Sequence, residues 1–353
     1  MNAFETRLQT AFRPSSSRVA ITCGGELEGI DQLPLTLSQT LLKAAKDASS
    51  SRLIHIGPDG RQSEQSYANL LDEAKRILCG FRRLGLQPGD KIIFQCELSR
   101  DFLPAFWGAV LGGFVPVPIS VPGDYAQDNA SVSKVRHAWR LLGEPLVLTC
   151  AARETGIRAL ERFPEMNTLR AVAVETLRLQ PPDDVLHEAT SDDLALMMLT
   201  SGSTGVPKGV MLTHRNLVSR SAGSVQMNGF SRADISLSWM PLDHVASLIY
   251  FHLRDVFTGC TQIHVSPGYI LQNPLRWLDL LERFRVTVTF APNFAFGLIN
   301  ERAVEMERRH WDLSSVRFFL NGGEAVVPRT ARRFMQLAAA HRVRPDSMWP
   351  AWG

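Results

Sequence analysis

LTSGSTGVPKGVML, residues 199–212, sets the hydroxyls of Thr200, Ser201, Ser203 and Thr204, the glycines Gly202, Gly205 and Gly209, and the single cation Lys208 between apolar flanks. It continues LALMML, an apolar run of strand length. Thr200 is therefore expected to begin a loop at a strand's carboxyl end, where ligands of α/β sheets gather. Glycines let backbone N–H groups approach an anion unobstructed, the hydroxyls add donors, and Lys208 adds a compact positive charge. Together they suit a polyphosphate. The P-loop pattern G-x-x-x-x-G-K-[ST] does not describe the stretch, because Val206-Pro207 separates Gly205 from Lys208 and Gly209 follows the lysine. A flexible loop would explain the composition but not the ordered run of donors.

Outward from this stretch, short apolar runs alternate with helical patterns. Leu53–Ile56 and the turn Gly57-Pro58-Asp59-Gly60 read as a hairpin. A helix is expected from about Tyr67 to Leu84, with Leu70, Ala74, Ile77, Leu78 and Phe81 at helical spacing and Gly85 as its stop. KIIFQC, FVPVPIS, EPLVLTC, LRAVAV, LALMML, ISLSWMP, TQIHV, VTVTF and VRFFL are strand candidates, and the prolines of FVPVPIS place it near a sheet edge. Strand–helix alternation predicts an α/β protein with largely parallel sheets. We divide the chain into a leading arm or docking segment (1–34), a first α/β half (35–175), a polar linker (176–193) containing Pro181-Pro182, and a second α/β half (194–353) carrying the glycine-rich loop.

Composition narrows the function classes. At 353 residues and 45% hydrophobic, the chain can bury a large core. A net charge of +3 gives no expectation of a nucleic-acid partner, and no apolar run approaches the ~20 residues of a membrane span. Cys23, Cys79, Cys96, Cys150 and Cys260 are widely spaced and form no metal-type pair, which fits a reduced cytoplasmic protein.

TSGSTGVPKGVMLTH, Thr200–His214, closely resembles the phosphate-loop motif of the adenylate-forming superfamily of acyl-CoA synthetases, firefly luciferase and nonribosomal peptide synthetase adenylation domains. The resemblance implies two largely parallel β-sheets flanked by helices. It also implies that Thr200, Ser201, Gly202, Ser203, Thr204, Gly205 and Lys208 grip the β and γ phosphates of ATP. SWMPLDHVASL resembles the segment of acyl- and aryl-acid-activating members in which His244 would lie beside the substrate carboxylate. Amino-acid-activating domains carry an aspartate at the position of Val245, to pair with an α-ammonium. An unpaired ammonium in an apolar pocket costs several kcal/mol, roughly, so the substrate is expected to lack an α-amino group. Asp243 stands two places earlier.

FLNGGEAV resembles the segment whose Gly322, Gly323 and Glu324 backbone lies against adenine, and FAPNFAFGL the pocket-lining segment, with Asn293, Phe294 and Phe296 as candidates. Strand-to-helix turns also need glycines, and ordinary core packing also uses phenylalanines. MWPAWG matches the start of an adenine motif, with Trp352 placed to stack on the base and Gly353 after it. The glutamate that would hold Mg2+ and the C-terminal domain with its lysine are expected beyond Gly353, so the chain reads as the N-terminal part of the fold and inactive alone.

The early stretch DKIIFQCELSRDFLPAFWGAVLGGFVPVPIS resembles loading domains of mixed polyketide–peptide synthases and fatty-acyl-AMP ligases. The implied activity joins a carboxylic acid, expected to be a fatty, aryl or arylalkyl acid, to ATP as acyl-AMP and passes the acyl group to the phosphopantetheine of an acyl or peptidyl carrier protein. A stand-alone acyl-CoA ligase and a non-catalytic nucleotide-binding module remain the alternatives.

Overall fold

The computed structural model describes residues 25–200 and 208–351. In chain order its main elements are α1 (Leu37–Asp47), β1 (Arg52–Ile56), β2 (Gln62–Ser66), α2 (Tyr67–Arg83), β3 (Lys91–Gln95), α3 (Ser99–Leu111), β4 (Val115–Pro118), α4 (Ala130–Leu141), β5 (Leu146–Thr149) and β6 (Ala171–Ala173). These are followed by α5 (Val174–Arg178), β7 (Leu194–Thr200), β8 (Lys208–Thr213), α6 (His214–Asn228), β9 (Ile235–Ser238), a π-helix (Ala246–Leu253) and β10 (Thr261–Val265). The chain continues through α7 (Leu275–Arg283), β11 (Val288–Ala291), α8 (Asn293–Asn300), β12 (Phe318–Gly322), α9 (Pro328–Ala338) and β13 (Met348–Ala351), with shorter helices between.

The strands form three sheets: a seven-stranded sheet in the order β13-β12-β11-β9-β10-β1-β2, a four-stranded sheet β4-β3-β5-β6, and a ribbon of β7 and β8. Pairing is parallel throughout the four-stranded sheet, and in the seven-stranded sheet everywhere except the β1–β2 hairpin. The proline-containing β4 lies at an edge, as its missing N–H donors require.

Helix α2 shows how the sequence builds an element. Ser66 caps it by accepting from the Asn69 N–H, and its apolar stripe Leu70, Ala74, Ile77, Leu78 and Phe81 is wholly buried. Helix α3 differs: Phe102 to Leu111 are buried all round, because it is covered by α2 on one side and by the π-helix on another.

Three expectations need correction. LALMML does not end in a loop over a parallel sheet. Seven residues separate Thr200 from Lys208, too few for the crossover a parallel partner requires, and KGVMLT turns back as the antiparallel partner of β7. The division at 176–193 does not separate the sheets, because β1 and β2 join the strands of the second half. Buried on both faces, Leu53, Ile54 and Ile56 need the interior place that β1 takes between β10 and the edge strand β2. The 176–193 segment is a strap rather than a free linker: Arg178 pairs with Glu73 and Asp101, Asp183 with Arg82, and Asp184 with Lys75. Of the leading arm, the described part lies on α6, where Glu28 N–H donates to Gln226 Oε1 and Gln226 Nε2 donates to the Glu26 carbonyl.

A buried polar network joins the two large layers. Trp107 Nε1–H donates to His252 Nε2 at 2.9 Å, His252 Nδ1 lies 2.8 Å from Gln262 Oε1, and Gln262 Nε2 donates to Tyr67 Oη. Burial lowers His252 and His55 from 6.5 to about 4, so both are neutral in the fold at pH 7. In the unfolded chain each takes up a proton near pH 6.5. Their contribution is therefore complete above that pH and is lost as pH falls from about 6.5 to about 4, at roughly 1.4 kcal/mol per pH unit per histidine. Urea unfolding at a series of pH values is expected to show this slope, and His55→Gln to reduce it.

Candidate functional site

The carboxyl ends of β9, β11 and β12 converge, and three of the motif segments leave from them. After β9 the chain forms a turn in which His244 N–H donates to the Pro241 carbonyl. The His244 ring then accepts from the Ala246 N–H at Nδ1, 3.2 Å away. Burial lowers the His244 pKa, against the opposing charge of Asp243. With Nδ1 used as an acceptor, the neutral ring carries its proton on Nε2, free to donate to an anionic or carbonyl oxygen. Burial pushes the Asp243 carboxyl up. Val245 is exposed at 38% and immediately precedes the π-helix, a rare form frequent at functional sites.

At the end of β12, Gly322 pairs with Ala351 of β13, and a Cβ there would lie 2.4 Å from the Ala351 carbonyl oxygen. Only glycine permits that approach. Gly323 follows with φ +83°, and a Cβ on it would sit 3.8 Å from His244 Cε1, so the Gly-Gly turn and the histidine face each other directly. Glu324 accepts from the Phe294 N–H at 2.6 Å, capping the start of α8. Phe294 is half exposed and rests edge-on against Trp239. Asn293 is buried, and its Oδ1 receives the Val327 N–H and Asn321 Nδ2. Its amide therefore holds the β12–α9 turn, and Phe296 lies in the core against Trp277 and Phe334. These two belong to the support of the site rather than to its open surface.

His244, Val245, Phe294, Gly322, Gly323 and Glu324 are thus brought together. Thr200 and Lys208 are paired across the β7–β8 ribbon and exposed, and among the described residues they make no hydrogen bond or ion pair to that cluster. Ser201, Gly202, Ser203, Thr204, Gly205, Trp352 and Gly353 lie outside the described residues. His214, the last residue of the quoted motif, is buried and accepts the Leu37 N–H, which ties the start of α6 to α1.

Among the described residues no group of three or more His, Cys, Asp and Glu is placed to hold a metal ion. No helix among the described residues is long and apolar enough to cross a membrane. On the other side of the Met240–Leu242 loop, a cavity of about 490 Å³ opens at the carboxyl ends of β1, β9 and β10, lined by His55, Ser99 and His264 among others. Sequence reasoning missed it. Its only signal was a histidine inside each of two apolar strands, LIHI and QIHV, far apart in the chain.

A family model described as AMP-binding enzyme matches residues 42–347. Among similar proteins, the nonribosomal peptide synthetase btyA of Aspergillus terreus is 33% identical over 340 residues, covering 90% of this chain and 35% of that protein. The solved adenylation domain of a keto acid-selecting nonribosomal peptide synthetase module, bound to keto acyl adenylate, is 41% identical with a TM-score of 0.89. The match covers 94% of this chain and 59% of that one. The McyG A-PCP structure complexed with phenylalanyl-adenylate is 37% identical with a TM-score of 0.90, covering 94% of this chain and 52% of that one. The chain spans about a third of the length of the curated relatives it matches. A family match over most of the chain, on a fold shared with solved adenylation domains, shows that it belongs to the AMP-binding enzymes.

Proposed function

We propose that this chain provides the acid-activating site of an acyl-AMP-forming ligase that takes a carboxylic acid lacking an α-amino group. In the reaction a carboxylate oxygen attacks the α-phosphorus of ATP, the bond to the β-phosphate bridging oxygen breaks, and pyrophosphate leaves. A carrier-protein phosphopantetheine thiol then attacks the acyl carbon and AMP departs, as in polyketide or nonribosomal peptide assembly. The protein's part is positioning and charge stabilisation.

Lys208 and the hydroxyl loop from Thr200 to Gly205 hold the leaving pyrophosphate. The turn Gly322–Glu324 offers backbone to adenine, with Trp352 and Gly353 beside the base. His244 orients the acid: a neutral ring with its proton on Nε2 donates to the carboxylate without needing a counter-charge. Phe294 and Val245 border the acid, with Asn293 buried behind them.

The observation that carries this reading is Val245, apolar and exposed beside a neutral histidine, where an α-ammonium would require an anion. The keto acyl adenylate held by a 41% identical relative supports the same substrate class, and a 2-oxo acid is our first choice. The phenylalanyl-adenylate in McyG favours a second reading, an α-amino acid, for which Asp243 is the available carboxyl group.

Pyrophosphate exchange by the protein that carries this chain, tested with matched 2-oxo, aryl, fatty and α-amino acids, separates the two. A 2-oxo or aryl acid is expected to exceed its amino counterpart by about 100-fold in kcat/KM. A clear preference for the amino acid would overturn the assignment. In the same assay Lys208→Ala is expected to lower kcat roughly 100-fold, the scale of removing one oxyanion donor, with the thermal midpoint unchanged because the side chain is exposed. Unaltered turnover would remove Lys208 from the leaving-group site.

A further inference from the structure

The cavity behind the Met240–Leu242 loop has a floor whose protonation can be worked out atom by atom. The Trp107 indole N–H can only donate, so His252 Nε2 accepts it, and the neutral His252 ring carries its proton on Nδ1. That proton goes to Gln262 Oε1 at 2.8 Å. The same amide oxygen lies 2.9 Å from His264 Nε2, and an oxygen that only accepts requires His264 Nε2–H to donate. Burial keeps His264 neutral. Its Nδ1 is then a bare lone pair, and no described residue donates to it. His264 is 4% exposed and lines the cavity.

His55 stacks on His264 at 5.9 Å and sets a second acceptor, the Ser99 hydroxyl oxygen. Gln65 Nε2 donates to Glu73, so Gln65 Oε1 faces His55 Nε2 and receives its proton. His55 Nδ1 must then accept from the Ser99 hydroxyl at 2.8 Å. The Ser99 proton is thereby used, and its oxygen offers the cavity only lone pairs. The floor presents acceptors, Leu98, Pro241, Leu242 and Val265 make apolar walls, and the charged side chains Asp59, Arg61, Glu97 and Arg100 complete the lining. A volume of about 490 Å³ lies within the ~300–1,000 Å³ usual for small-molecule sites, and the carboxyl ends of parallel strands are where such sites form.

We propose that this cavity is a second small-molecule site, distinct from the acid-activating site, that takes an apolar compound bearing one hydroxyl donor, of the phenol class, whose O–H donates to His264 Nδ1. Met240, Pro241 and Leu242 wall the cavity and lead directly into the turn that sets His244, so occupancy bears on the loop that positions the acid.

The test needs neither ATP nor acid, so its failure leaves the adenylation reading intact, and failure of that reading leaves this one intact. Phenol and anisole, alike in shape but differing in the donor, are titrated into the protein by calorimetry, and the histidine ring nitrogens are followed by NMR. Phenol is expected to saturate, to shift the His264 Nδ1 resonance, and to bind about fivefold or more tightly than anisole. His264→Leu is expected to bring phenol to the anisole level. Ser63→Trp, an exposed cavity-lining position on β2 whose replacement spares the core, is expected to abolish binding of both. Equal binding of the two probes would mean an apolar cavity only. Absence of saturation, or phenol binding unaffected by Ser63→Trp, would also overturn the proposal.

Discussion

Gln262 is the residue around which the two large layers are joined. One amide binds His252 of the π-helix, His264 of its own strand and Tyr67 of α2, and His252 in turn holds Trp107 of α3. Each of these groups is buried, and a buried polar group is tolerated only when it is paired. The arrangement fixes where α2 and α3 stand over the seven-stranded sheet, and with them where β1 lies beside β10. A hydrophobic interface alone would allow sliding; a network with complementary donors and acceptors allows one register.

That register places the carboxyl ends of β1, β10, β9, β11 and β12 side by side, and both proposed sites lie along this line. At one end, the Gly322–Gly323 turn meets His244. At the other, the acceptor floor of His264 and Ser99 lines a cavity. The Met240–Leu242 loop stands between them. Neutral histidines are common to both places, for one reason: burial makes the imidazolium costly, and a hydrogen bond accepted at one nitrogen then decides which nitrogen keeps the proton. The β7–β8 ribbon carries Thr200 and Lys208 exposed to solvent.

Much of the molecule was legible in the residues. Helix α2 was readable because its apolar stripe and its Ser66 cap are local, and β4 was placed near an edge because a proline's missing donor is a local fact. The motif segments around His244 and Gly322 were readable because each depends on a few consecutive residues. Their meeting was not: the approach of the Gly323 turn to His244 comes from the packing of strands that are far apart in sequence. The supporting role of Asn293 was hidden as well, since its partners Asn321 and Val327 arrive from the next strand and turn.

By itself the sequence determined the α/β class and most of the elements, and its motifs pointed to the family, because propensity, capping and motif chemistry act over short stretches of chain. Only the tertiary structure decided that β7 and β8 form a separate antiparallel ribbon, that β1 belongs to the second sheet, and that residues 176–193 are strapped onto α2. The physical reason is that strand partners and ion pairs are chosen by burial and hydrogen-bond completion across the whole molecule. No window of sequence contains both halves of such a choice.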